Sequence, residues 1–132
     1  MPATNMSRAI IPYRNQPYML ALGADQNPGD PANALWFEFF GKPTPFVKGP
    51  DSGARRGDTP VLFGKFLREK RGYYRIIFEM GEEHPGRLKE GELASKYVRY
   101  LEKFITENPS LWLWSHRRWK WDWKEEYGPV RK

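Results

Sequence analysis

Apolar residues recur at Leu93, Tyr97, Leu101, Phe104 and Ile105, while Lys96, Arg99, Glu102 and Lys103 fall on the opposite side. This is the period of a helix with one apolar face, and it stops at Asn108-Pro109. A helix with a single apolar stripe must bury it against another layer. The preceding segments supply that layer. Thr59 to Leu67 and Tyr73 to Met80 read as strands, and Lys70-Arg71-Gly72 leaves room only for a turn, which predicts an antiparallel hairpin. Tyr18 to Ala24 is a short, continuous apolar run bounded by turn formers, the pattern of a central strand covered on both faces. The chain therefore reads as one α/β layer structure, with no internal repeat or low-complexity tract.

Around these elements, Met6 to Asn15 is expected to form a short helix that Pro12 ends or bends, and Asp25 to Asp30 a loop. Ala34 to Phe40 is an aromatic segment. The glycines and prolines of Gly41 to Pro50 predict irregular chain, and Asp51 to Arg56 a short helix capped by Gly57.

The 132 residues suffice for one domain, expected to bury roughly two-thirds of its unfolded surface. The 22 basic and 16 acidic residues leave a charge of +6, which favours phosphate-bearing partners or an anionic membrane surface. Without cysteine there is no disulfide, thiolate nucleophile or Cys-based metal site. No apolar run approaches the ~20 residues of a spanning helix. Met1 to Arg8 shows neither a signal-peptide core nor a myristoylation pattern.

Asn108 to Trp121 concentrates Trp112, Trp114, Trp119 and Trp121 with His116, Arg117, Arg118 and Lys120. Arginine forks bind phosphate or carboxylate, and tryptophan sets an apolar body against lipid or sugar while its N–H reaches a polar group. The same basic residues also read as solvated charges at a helix end. His84, in Glu-Glu-His-Pro-Gly, reads as a surface histidine, and His116 as a hydrogen-bonding residue or phosphate neighbour. Asp25 follows an apolar run at the end where α/β sheets hold ligands, and equally reads as a turn cap. The Lys42 to Pro50 loop lacks the spacing of a phosphate-binding loop.

Four features together resemble the bacterial lipid A biosynthesis late acyltransferases. They are the Asp25-Gln26 corner, Phe39-Phe40-Gly41-Lys42-Pro43 running on to Gly49, Gly57-Asp58-Thr59-Pro60-Val61, and Asn108-Pro109 followed by Trp112-Leu113-Trp114-Ser115-His116-Arg117-Arg118-Trp119-Lys120. They appear in the family's order, and the His-Arg-Arg-aromatic-Lys ending after a long helix is the most specific.

The resemblance implies a glycerolphosphate acyltransferase-like α/β fold, a mixed sheet with flanking helices and a long C-terminal amphipathic helix. It implies a peripheral enzyme of the cytoplasmic face of the bacterial inner membrane, moving an acyl chain from acyl carrier protein to a hydroxyl of a Kdo-bearing, phosphorylated glucosamine lipid. No cofactor or metal is implied. Asp25 becomes a supporting carboxylate of the active site. Asp25, Gln26, Lys42, Lys48, Gly49, His116, Arg117, Arg118 and Lys120 become substrate-binding candidates, and Trp112, Trp114, Trp119 and Trp121 membrane-interface candidates. Arg117 and Arg118 serve as phosphate contacts or as anchors of the last helix.

In this family an H-x4-D/E motif supplies the histidine that deprotonates the acceptor hydroxyl. Here only 24 residues precede Asp25, none of them histidine, while Lys89 follows His84 and Trp121 follows His116 at the carboxylate position. The chain is therefore expected to be one domain spanning 1–132, the C-terminal half of such an enzyme. That half alone should be soluble, should not catalyse acyl transfer, and should seek a partner, as a homodimer, through an exposed sheet edge. Two rival readings are a non-catalytic protein that binds anionic lipid and a basic, aromatic-rich nucleic-acid module. No nucleic-acid motif supports the second, and no nucleic-acid partner is expected.

Overall fold

Strand β1 (Ala34–Phe39) organises the computed structural model, which describes residues 11–13 and 15–132. It buries side chains on both faces: Leu35, Phe37 and Phe39 on one, Trp36 on the other. Strand β2 (Lys42–Val47) pairs with it antiparallel. Strand β5 (Val130–Arg131) pairs parallel on the opposite edge, giving a mixed sheet of order β2–β1–β5. The β1–β2 turn is two residues long, with Phe40 at φ 50° and Gly41 at φ 73°. Such double left-handed turns match strand twist but cost a non-glycine residue about 1 kcal/mol. Phe40 is held there by its N–H, which donates to Glu102 Oε1 at 2.7 Å, and by its ring, 4.8 Å from that of Phe39.

The irregular chain expected from Gly41 to Pro50 is thus a strand followed by the start of a helix. Proline is excluded only where a ladder needs its N–H. Pro43 and Pro45 share one parity on an edge strand, so both nitrogens turn away from β1, and Lys42, Thr44 and Phe46 face the ladder.

Helix α1 (Gly49–Gly57) ends at Asp58, whose φ of 45° makes it, rather than Gly57, the left-handed cap. Strands β3 (Val61–Lys70) and β4 (Tyr73–Glu82) form the expected antiparallel hairpin, with Gly72 at φ 80° in its turn. They make a second, two-stranded sheet instead of extending the first. Helix α2 (Glu92–Glu107) lies between the two. Val98, Leu101 and Ile105 pack on Leu35, Phe37, Phe39 and Phe46, while Tyr97 and Tyr100 meet Phe63 of β3 at 5.4 and 5.2 Å between rings. The helix is amphipathic as the spacing predicts, but it is not C-terminal. Short 3-10 turns at Pro109–Leu111 and Glu125–Tyr127 and then β5 follow it.

The buried strand expected at Tyr18 to Ala24 does not form. That stretch has no strand assignment, and Tyr18, Met19, Leu20 and Leu22 are exposed. An apolar run becomes a central strand only if an edge accepts it. Here β2 and β5 occupy both edges of β1, and the outer edge of β2 has proline at two positions. Most of the helix expected over Met6 to Asn15 lies outside the described residues, and its described part is a 3-10 turn at Ile11–Tyr13.

Asp51 joins the two helices. Helix α2 begins at Gly91 with no capping side chain of its own. The carboxylate of Asp51, 2% exposed, accepts from Gly91 N at 3.3 Å and Ala94 N at 3.2 Å, with the Arg55 guanidinium also at 3.3 Å. Asp51→Ala strands these donors and should lower stability by about 2 kcal/mol. A shift of the urea midpoint toward lower concentration, smaller for Asp51→Asn, is the expected result.

Candidate functional site

Beyond α2 the chain folds into successive tight turns. Asn108 N–H returns to Phe104 O, Trp114 N–H to Trp112 O, His116 N–H to Leu113 O and Arg118 N–H to His116 O. This compaction aims three consecutive residues at one residue of the Asp25–Asp30 loop, Asn27, engaging both its backbone and its side chain. The Asn27 N–H donates to His116 Nε2 at 3.2 Å, Asn27 Nδ2 donates to Arg117 O at 2.6 Å, and Asn27 Oδ1 accepts from Arg118 at 2.7 Å. The segment is not a helix end, as the solvated-charge reading assumed, but a clamp.

Arg118 is 1% exposed. Its second amino group donates to Pro45 O at 2.9 Å, on the edge of β2 that the ladder leaves open, and its guanidinium lies 4.2 Å from the Phe46 ring centre. Burial pushes its pKa down to about 10, opposed by the nearby Asp25 carboxylate, so the group remains cationic at neutral pH. Burial also holds the Tyr97 phenol well above its ordinary range, Asp25 adding to the effect.

Of the candidates read from the sequence, Asp25, Gln26, His116, Arg117 and Arg118 come together around Asn27. Lys42 joins them at the near end of β2, its ammonium 5.6 Å from the Trp119 ring, and Trp119 in turn leans on Phe39 at 6.1 Å. Lys120 lies 4.5 Å from the ring of Trp121. Lys48 and Gly49 do not belong to this group. They stand at the far end of β2, where Lys48 pairs with Glu90 at 3.1 Å, and with Pro28, Gly29, Asp30 and Val47 they line an open depression of about 240 Å³. Among the tryptophans, Trp114 is the most exposed at 62%, beside exposed Leu113, whereas Trp112 packs toward Phe39 and Trp121 is half-buried.

Neither histidine is placed as a base in a cleft. His116 Nε2 is taken by Asn27, and His84 sits 3.6 Å from Asp58 on an open surface. Among the described residues no group of acidic and histidine side chains is suited to hold a metal. No helix there is long and apolar enough to cross a membrane. Asn27 itself escaped the sequence reading. Its only signal is its place directly after Asp25-Gln26, and within Asp-Gln-Asn-Pro-Gly an asparagine reads as a turn former.

A family model described as bacterial lipid A biosynthesis acyltransferase matches residues 1–121. The chain belongs to that family. In this lipid A acyltransferase family member the clamp therefore lies inside the matched region, whereas Tyr127 and β5 lie beyond it. Comparison with curated proteins and with solved structures returns no match.

Removing the Asn27 side chain in this acyltransferase family member leaves a buried cation short of a partner. Asn27→Ala should cost about 3 kcal/mol, read as a lower denaturant midpoint, and an unchanged midpoint would refute the clamp. A second expectation concerns pH. The folded-state pKa of Tyr97 is raised, so its contribution is complete below about pH 10, the unfolded phenol value, and is lost as pH rises above it. Tyr97→Phe should flatten the fall in stability measured above pH 10.

Proposed function

We propose that this chain carries the acceptor-binding part of an acyltransferase for which the acceptor is a Kdo-bearing, phosphorylated glucosamine lipid and the donor an acyl carrier protein thioester. Membership of the family supports the reaction class. The observation that carries the site is the Asn27 clamp, which ties the Asp25-Gln26 corner to the His-Arg-Arg run. In this reading Arg118 is the internal anchor, and exposed Arg117, Lys42 and Lys120 offer positive charge to the acceptor's phosphates and sugar acids. Asp25 is the supporting carboxylate of the corner, and Gln26 offers an amide to the sugar. Trp114, with Leu113, meets the headgroup region of an anionic bilayer, which we assign to the cytoplasmic face of the bacterial inner membrane.

Acyl transfer requires the acceptor oxygen to attack the thioester carbonyl carbon while a base takes the hydroxyl proton and the carrier's thiolate departs. We assign that base to no residue of this sequence. His116 and His84 lack a carboxylate at the family spacing, and the Nε2 of His116 is already engaged. The chain on its own accordingly binds acceptor lipid without transferring an acyl group.

Vesicle flotation tests the binding, and an acyl-transfer assay tests the missing base. Each basic residue near an anionic surface contributes ~1 kcal/mol, so the Lys42→Ala/Arg117→Ala/Lys120→Ala variant should lose roughly a hundredfold in binding to vesicles carrying phosphorylated glycolipid. Equal binding by parent and variant would remove these residues from the site. Acyl transfer by the purified chain, abolished by His116→Ala, would sink the assignment of no base.

A further inference from the structure

The β3–β4 hairpin has two unlike faces. Phe63 points inward onto Tyr97 and Tyr100 of α2 and is buried. The outer face follows the register Leu62 with Met80, Gly64 with Phe78, Phe66 with Ile76, and Arg68 with Tyr74. Its large apolar members are open to solvent, Phe66 and Met80 at 61% and Phe78 at 54%. The Phe78 ring lies across Gly64, where a Cβ would stand 3.1 Å from it, so the middle of the strip is filled by one ring lying across the sheet. Leu62, Phe66, Tyr74, Ile76, Phe78 and Met80 together expose roughly 600 Å² of side chain, at the upper end of what a monomer leaves bare.

We propose that this outer face is the contact between two copies of the chain, packed sheet on sheet about a two-fold axis. Three observations select a second copy. Two such strips would bury roughly 1,200 Å² in total, the lower limit of a specific interface, which points to a weak dimer. An extended two-stranded face packs on its own twin at the ~10 Å spacing and modest angle of aligned sheets, and a two-fold contact uses the same patch on both copies. A bilayer is disfavoured because each strand of the hairpin is paired on one edge only. Unpaired backbone groups flank the strip, and hydrocarbon cannot satisfy them. The contact uses the sheet face rather than its edge.

The charge of +6 per chain sets the salt response. Two like-charged copies associate more tightly as salt rises, whereas binding to anionic lipid weakens. Sedimentation of the full chain over a concentration series should show a monomer–dimer transition on the order of micromolar, shifted to lower concentration by added salt. Phe66→Glu/Phe78→Glu should remain monomeric with an unchanged unfolding transition, and Ile76→Lys should weaken the dimer at least tenfold. The Lys42→Ala/Arg117→Ala/Lys120→Ala variant, with less like charge, should dimerise at least as tightly as the parent, which separates this surface from the acceptor site. A parent chain that stays monomeric at every concentration overturns the proposal. So does a Phe66→Glu/Phe78→Glu chain that dimerises normally, and so does a monomer that instead floats with anionic vesicles through these residues.

Discussion

The buried guanidinium of Arg118 is the constraint on which the rest of the site depends. Taking a cation out of water costs several kcal/mol, and a sequence that places one at 1% exposure must surround it with partners. The partners come from two parts of the chain, both distant in sequence from Arg118. Asn27 Oδ1 comes from the loop after the apolar run, Pro45 O from the edge strand, the Phe46 ring from the core, and the field of Asp25 from the corner. Three segments far apart in sequence, the Asp25–Asn27 loop, the Pro45-Phe46 stretch of β2 and that of Arg118 itself, are thereby fixed relative to one another by one side chain. The prolines of β2 take part in this. Because Pro45 shows no N–H on its outward side, only its carbonyl asks for a partner there, and Arg118 supplies a donor.

The same geometry divides labour within a three-residue signature. His116 and Arg118 point into the protein and hold Asn27, whereas Arg117 contributes its backbone carbonyl to the clamp and leaves its side chain exposed. Two adjacent arginines are therefore not equivalent. Arg118 is engaged within the fold, on Asn27 and Pro45, and Arg117 is the one whose side chain reaches outward.

What the sequence made legible follows from what periodicity measures. The α2 stripe and the β3–β4 hairpin were readable because each declares itself within a few turns or a few residues. The aromatic run of β1 was readable as an apolar segment, but its two-sided burial depends on β2, β5 and α2 arriving from elsewhere. Tyr18 to Ala24 has the composition of a central strand and no strand assignment, because composition specifies what a strand would bury and not which edge remains open to it. Prolines at 43 and 45 looked like loop for a related reason: whether a missing N–H matters depends on which way the partner lies. At the site, the cationic run and the Asp25-Gln26 corner were visible, and the bond between them was not. Asn27 and Asp51 both act over long sequence separations, in positions where local preference reads only a turn or a helix start.

The two sheets resolve the edge problem in opposite ways. In the three-stranded sheet the outer side of β2 is blunted and the middle of β1 is covered. Prolines and the Arg118 fork blunt the outer side of β2, and on the other side β5 covers β1 while Tyr127 stacks on Trp36 at 5.5 Å, nearly parallel. The hairpin has neither device. Its strands pair only with each other, charged and aromatic residues crowd its tip, and the face away from α2 is a continuous apolar strip. A two-stranded sheet gains little stability from its own ladder, so this one is held by the packing of Phe63 against Tyr97 and Tyr100. One face of the hairpin thus anchors it to the domain. The opposite face, with side chains as apolar as those of a core, is where a further layer gains the most from burial.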